Sequence, residues 1–112
     1  MGLVDDYLVS LLAFAEASNN NDQKTARKYY KKMDACFRSL RDTNKLSEIT
    51  KFLDHDNESV RLWVSTHLLP YDEKLAKESL KKIADNKAGL GSFSAEMTLQ
   101  EWSKGNLTYL IE

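Results

Sequence analysis

An all-α fold of about six helices joined by short turns is what this sequence of 112 residues predicts. Apolar residues recur at three- and four-residue spacing through most of the chain, the signature of helices with one buried stripe. Polar clusters, Pro70 and glycines interrupt that pattern repeatedly and mark the turns. No segment alternates apolar and polar residues for long enough to make a strand. The length suits one domain, residues 1–112, able to bury roughly two-thirds of its unfolded surface.

The elements follow in order. Leu3, Val4, Tyr7, Leu8, Leu11, Leu12, Phe14 and Ala15 define a first amphipathic helix that ends in the polar cluster SNNND. Asp22 is placed to cap a second helix, whose apolar line is Ala26, Tyr29, Tyr30, Met33, Phe37 and Leu40. A third runs from Leu46 to Leu53 and buries Leu46, Ile49, Phe52 and Leu53. A fourth, on Val60, Trp63, Val64, His67 and Leu68, is stopped by Pro70. Asp72 caps a fifth through Leu75, Ala76, Leu80, Ile83 and Ala84, and NKAGLGS breaks it. Ser94 caps a sixth, with Glu96 in its first turn and Met97, Leu99 and Trp102 inside. Gly105 closes it and leaves NLTYLIE as a docked tail.

Six helices group as three hairpins of the size used in HEAT-type solenoids. Each hairpin needs neighbours to bury its apolar face, and about three is the minimum. A closed six-helix bundle is the competing arrangement.

Composition narrows the classes. Hydrophobic residues make up 42% and charged residues 29%, the profile of an ordinary globular protein. No apolar run reaches the roughly 20 residues that span a bilayer. Asp5 and Asp6 stand where a signal peptide has its basic region, and Asp6 breaks the myristoylation pattern that Gly2 invites. Cys36 is the only cysteine, so neither an intrachain disulfide nor a cysteine zinc cluster is expected. A cytoplasmic protein without membrane contact is the simplest expectation.

The stretch LDHDNESVR, residues 53–61, gathers acids, a histidine and an arginine. A hard-ion loop needs several oxygens at fixed offsets and a kink glycine, and this loop lacks the glycine. No HExxH pair supplies a zinc site. The stretch reads instead as a corner, with Asp56 or Asn57 capping the fourth helix, Glu58 in its first turn and Arg61 on its outer face. Cys36 with His55 or His67 as base would be a nucleophile pair. A mid-helix thiol beside Phe37 more commonly behaves as a small hydrophobe. GLGSFS lacks the third glycine of a dinucleotide loop and the lysine of a phosphate loop. No metal, cofactor or catalytic set is therefore expected, and the chain reads as no enzyme.

Charge is banded although the net charge is −1. Residues 1–23 sum to −4 and residues 24–45 to +6. In the second band Lys24, Arg27, Lys28, Lys31, Lys32 and Arg38 form a basic stripe able to follow nucleic-acid phosphates, or simply to stay solvated.

Residues 60–107 resemble a bacterial family of small HEAT-like domains. The resemblance is carried by Val60-Arg61, His67-Leu68-Leu69-Pro70, the Gly89–Phe93 junction, and Ala95, Met97-Thr98-Leu99, Trp102 and Gly105. The Asp-turn-Arg of residues 56–61 is similar to the HEAT signature in which those side chains bridge repeats. Relatives of that family include immunity proteins of toxin systems, contact-dependent inhibition among them. The resemblance implies a non-catalytic inhibitor that binds one cognate toxin. Asp54, Asp56, Glu58, Asp72 and Glu73 would suit a basic nuclease by mimicking its substrate phosphates, with Arg61, Tyr71 and Trp63 beside them. Nucleic-acid binding by the second helix is the alternative. HEAT-like scaffolds serve many partners, so fold alone decides neither.

Overall fold

A computed structural model describes residues 2–112. The fold is all-α: among the described residues there are five α-helices and two 3-10 helices and no strand. The helices are α1 (Leu3–Asn19), α2 (Gln23–Asp42), α3 (Glu58–Leu68), α4 (Glu73–Asp85) and α5 (Ser92–Ser103). One 3-10 helix spans Leu46–Asp54 and another spans Thr108–Leu110. The chain divides into two compact units, one ending at Lys51 and the other running Phe52–Glu112.

In the first unit α1 packs along α2 as a helical hairpin. Tyr7 and Leu11 from α1 and Met33, Phe37 and Leu40 from α2 are completely buried. The phenol of Tyr7 is pushed well above its usual range by that burial and, less, by the nearby Cys36. Phe14 and Tyr30 meet as tilted rings with centroids 5.7 Å apart. The tight turn between the helices is specified at both ends. Asn21 takes φ +58°, its N–H donating to Ser18 O while that of Asp22 donates to Ala17 O, the paired bonds of a Schellman cap. Asp22 then accepts from Thr25 N–H and starts α2 as expected. Asn44, at φ +59°, ends α2 in the same manner.

The expected third α-helix is a 3-10 helix instead. Its apolar residues Leu46, Ile49 and Phe52 are three apart, the period of a 3-10 stripe rather than of an α-helix. Leu46 and Ile49 are buried, whereas Phe52 and Leu53 are only half-buried.

In the second unit α3 packs on α4 and α4 on α5. Val60, Val64, Leu68, Ala76, Leu80, Ala95 and Leu110 are completely buried. Ser65 and Ser79 hydroxyls meet at 2.6 Å between α3 and α4, and Ser65 also bonds Arg61 O. Ser92 donates to Ala84 O at 2.6 Å and ties the start of α5 to the end of α4. Asn57 caps α3 through Ser59 and Val60 N–H, and Asp72 caps α4 through Leu75 N–H. Gly105, at φ +75°, closes α5 with a third Schellman cap, and the tail docks through buried Leu110.

Candidate functional site

The acidic corner is built from the last residues of the first 3-10 helix, the loop at 55–57 and the first turn of α3. Arg61 is half-buried, and its hydrogen bonds stay within its own corner rather than bridging to another helix pair. Its Nη1 folds back and donates to His55 O at 2.6 Å and Asp56 O at 3.0 Å. Half-buried guanidinium atoms thereby satisfy two carbonyls of their own turn. His55 Nδ1 accepts from Asn57 N–H, so the loop is locked by its own residues.

Glu58 serves a distant partner. Its Oε1 accepts from Gly91 N–H at 2.6 Å, and Gly91 is the residue that caps α5. The carboxylate sits at the positive end of that helix, where an anion is favoured. A Cβ at Gly89 or Gly91 would overlap the Glu58 carboxylate oxygens. The expected cap, Ser94, lies inside α5, which begins two residues earlier, and Glu96 falls outside the first turn.

Asp72 is engaged as an N-cap, and Glu73 accepts from Trp102 Nε1 at 2.5 Å while lying 3.8 Å from Lys77. Of the seven residues that sequence reasoning offered to a partner, Arg61, Glu58, Asp72 and Glu73 thus have roles within the second unit. Asp54, Asp56 and Tyr71 remain at the surface, Tyr71 with 53% of its area exposed. Trp63 is half-buried with its ring 5.7 Å from that of His67, a packing residue rather than an open anchor.

A different surface stands out in the same unit. Leu90 is 96% exposed, Phe93 72% and Met97 38%. Phe93 and Met97 are one α-helical turn apart and share a face of α5. Met97, expected inside, therefore lies on the outer side. An ion pair between Lys87 and Glu96 closes the junction beside this face. Periodicity missed it because α5 is apolar on more than one side.

On α2 the exposed side carries Lys24, Arg27, Lys28, Lys31 and Lys32. Among the described residues no carboxylate lies within ion-pairing distance of these five. Arg38 differs, being held by Asp34 at 2.9 Å. The Lys28 and Lys32 ammonium groups lie 5.4 and 5.3 Å from the Tyr29 ring centre.

Burial raises the Cys36 thiol above its ordinary pKa, and Asp6 adds to the rise, the opposite of what activates a nucleophile. Burial likewise pushes His67 down to about 3, leaving a neutral imidazole. Among the described residues no group of three or more His, Cys, Asp or Glu side chains could hold a metal ion. Among the described residues no helix is long and apolar enough to cross a membrane. Compared with family models, curated proteins and solved structures, the chain matches none.

Proposed function

We propose that this chain is a non-catalytic binding protein that docks on one cognate protein partner, acting as an immunity protein that neutralises a toxin in the bacterial cytoplasm. The observation that carries the docking is the exposed apolar set Leu90, Phe93 and Met97. Large apolar side chains surrounded by polar ones are the composition of a protein-binding hot spot. Their setting adds to the argument. Glu58 holds the α4–α5 junction from α3, so these side chains are presented from an ordered backbone and little entropy is lost on docking. The toxin as partner follows from the resemblance read in residues 60–107 to small bacterial HEAT-like domains, a family whose relatives include immunity proteins. Asp54 and Asp56, still at the surface, would contribute charge to a basic partner of the nuclease type.

The test is co-purification of the tagged protein from its native cells, run in parallel with Phe93→Glu. One stoichiometric partner with a toxic domain, retained by the wild type and lost by the variant, is the expected result. Expression of the wild type should also protect cells from that domain. Equal recovery with both proteins, or binding without protection, would count against the reading.

A further inference from the structure

We propose that the exposed face of α2 is a second binding surface, one that follows the phosphate backbone of a single-stranded nucleic acid. The first support is the arrangement of charge. Lys24 and Lys28, Arg27 and Lys31, and Lys28 and Lys32 are each separated by one helical turn, so like charges stack along the helix. Such pairs weaken a helix, and a merely solvated face usually avoids them by alternating with acids. On α4 acids interleave with the bases, Glu73 preceding Lys77, Lys74 preceding Glu78 and Glu78 preceding Lys82, with Lys77 and Lys81 the one like-charged pair at that spacing. On α2 the five cations from Lys24 to Lys32 meet no acid among them. A polyanion supplies the missing negative charge.

The second support is an aromatic group set among those cations. Tyr29 lies under Lys28 and Lys32 and lines a groove of about 540 Å³ within the first unit. Val9, 55% exposed, and Ala35 give that groove an apolar lining, to which Lys32 adds a cation. Cations that track phosphates beside an aromatic ring able to stack a base are the recurring parts of single-strand sites. Asp6 also lines the groove and sets its limit, because a phosphate there would be repelled. The backbone therefore runs along Lys24, Arg27, Lys28 and Lys31, while a base turns toward Tyr29 and Val9. An acidic protein would use the cations but has no need of the groove and ring.

The experiment is fluorescence anisotropy with labelled 15-mer oligonucleotides, dT and rU in separate arms, titrated with the full chain at several salt concentrations. With about four phosphates neutralised, the logarithm of affinity should fall with the logarithm of salt at a slope near −3. Lys28→Glu with Lys31→Glu should weaken binding about tenfold or more and flatten the slope. Tyr29→Ala should lose several-fold while Tyr29→Phe keeps affinity, since stacking needs the ring and not the hydroxyl. Helical content by circular dichroism checks that each variant is folded, and the two exposed lysines provide the test if Tyr29→Ala is not. No binding at about 20 mM salt, or binding indifferent to the lysine reversals, would overturn the proposal. Displacement by polyglutamate as readily as by unlabelled oligonucleotide would also overturn it and assign the face to acidic proteins.

Discussion

Glu58, in the first turn of α3, accepts a hydrogen bond at 2.6 Å from the backbone N–H of Gly91, at the start of α5. One side chain thus performs for a helix 33 positions away what Ser, Asp or Asn usually performs for the helix it begins. The consequence reaches the surface, because the loop it holds presents Leu90 and leads directly into Phe93.

That relationship predicts a coupling. Glu58→Ala removes a charged acceptor from a part-buried donor and should cost about 1.5–3 kcal/mol, read as a lower denaturant midpoint. Glu58→Gln keeps an acceptor and should cost less. Gly89→Ala places a methyl where the carboxylate lies and should destabilise the wild type by displacing it. In the Glu58→Ala background the same change should cost far less. Additive costs in the double mutant would show that the methyl clashes with something other than Glu58.

The helices themselves were legible because their signals are local. Asp22, Asn57 and Asp72 cap from within the segments they begin, and Gly105 ends α5 from within its own turn. The start of α5 was misplaced at Ser94 because its partner is Glu58, which no local pattern links to Gly91. The 3-10 character of Leu46–Asp54 was present in the three-residue spacing of Leu46, Ile49 and Phe52, yet over so short a stretch that spacing also fits an α-helix. The acidic corner was legible as a cluster of charge but not as a set of bonds. Whether Glu73 meets a partner or Trp102 is decided by packing between α4 and α5. The basic face of α2 was legible from Lys24 to Lys32, since those residues come from one helix, but not the pairing that takes Arg38 out of it, because Asp34 one turn earlier holds its guanidinium.

The two asparagines at positive φ offer a gain in stability. Asn21 and Asn44 occupy the left-handed position of Schellman caps, which glycine enters without a Cβ penalty. Asn44→Gly should leave the free energy of unfolding unchanged or raise it, by up to about 1 kcal/mol. Gly105→Ala, at φ +75°, should lower it by about 1 kcal/mol. Thermal unfolding of the three proteins would check the opposite signs, and a stabilising Gly105→Ala would contradict the cap assignment.

Phe93→Glu should leave the fold intact. The side chain is largely exposed, so the change should move stability by no more than about 0.5 kcal/mol. Phe37→Ala, by contrast, empties a completely buried site and should cost about 3–5 kcal/mol. Parallel denaturant curves would separate the two, and a large loss for Phe93→Glu would mean that the ring supports the fold rather than a partner.

His67 sets a pH window for stability. Burial holds its folded pKa at about 3, below the value of about 6.5 expected in the unfolded chain. Protons therefore bind the unfolded chain first, so this contribution is complete above about pH 6.5 and is lost as the pH falls towards 3. Between those values a single such group changes stability by about 1.4 kcal/mol per pH unit. Asp22 does not confuse the upper part of this window. The Thr25 hydroxyl and then its backbone N–H hold that carboxyl below its ordinary value, so it stays ionised until the pH is lower still. Unfolding curves from pH 7 to 4.5 should show the midpoint falling with acidity, and His67→Gln should flatten that dependence even if it lowers stability at pH 7. In nuclear magnetic resonance spectra of the folded protein, the His67 imidazole should not titrate between pH 8 and 5. A midpoint near 6.5 for that ring would mean that it reaches water, and the acid dependence would then have to come from the carboxylates.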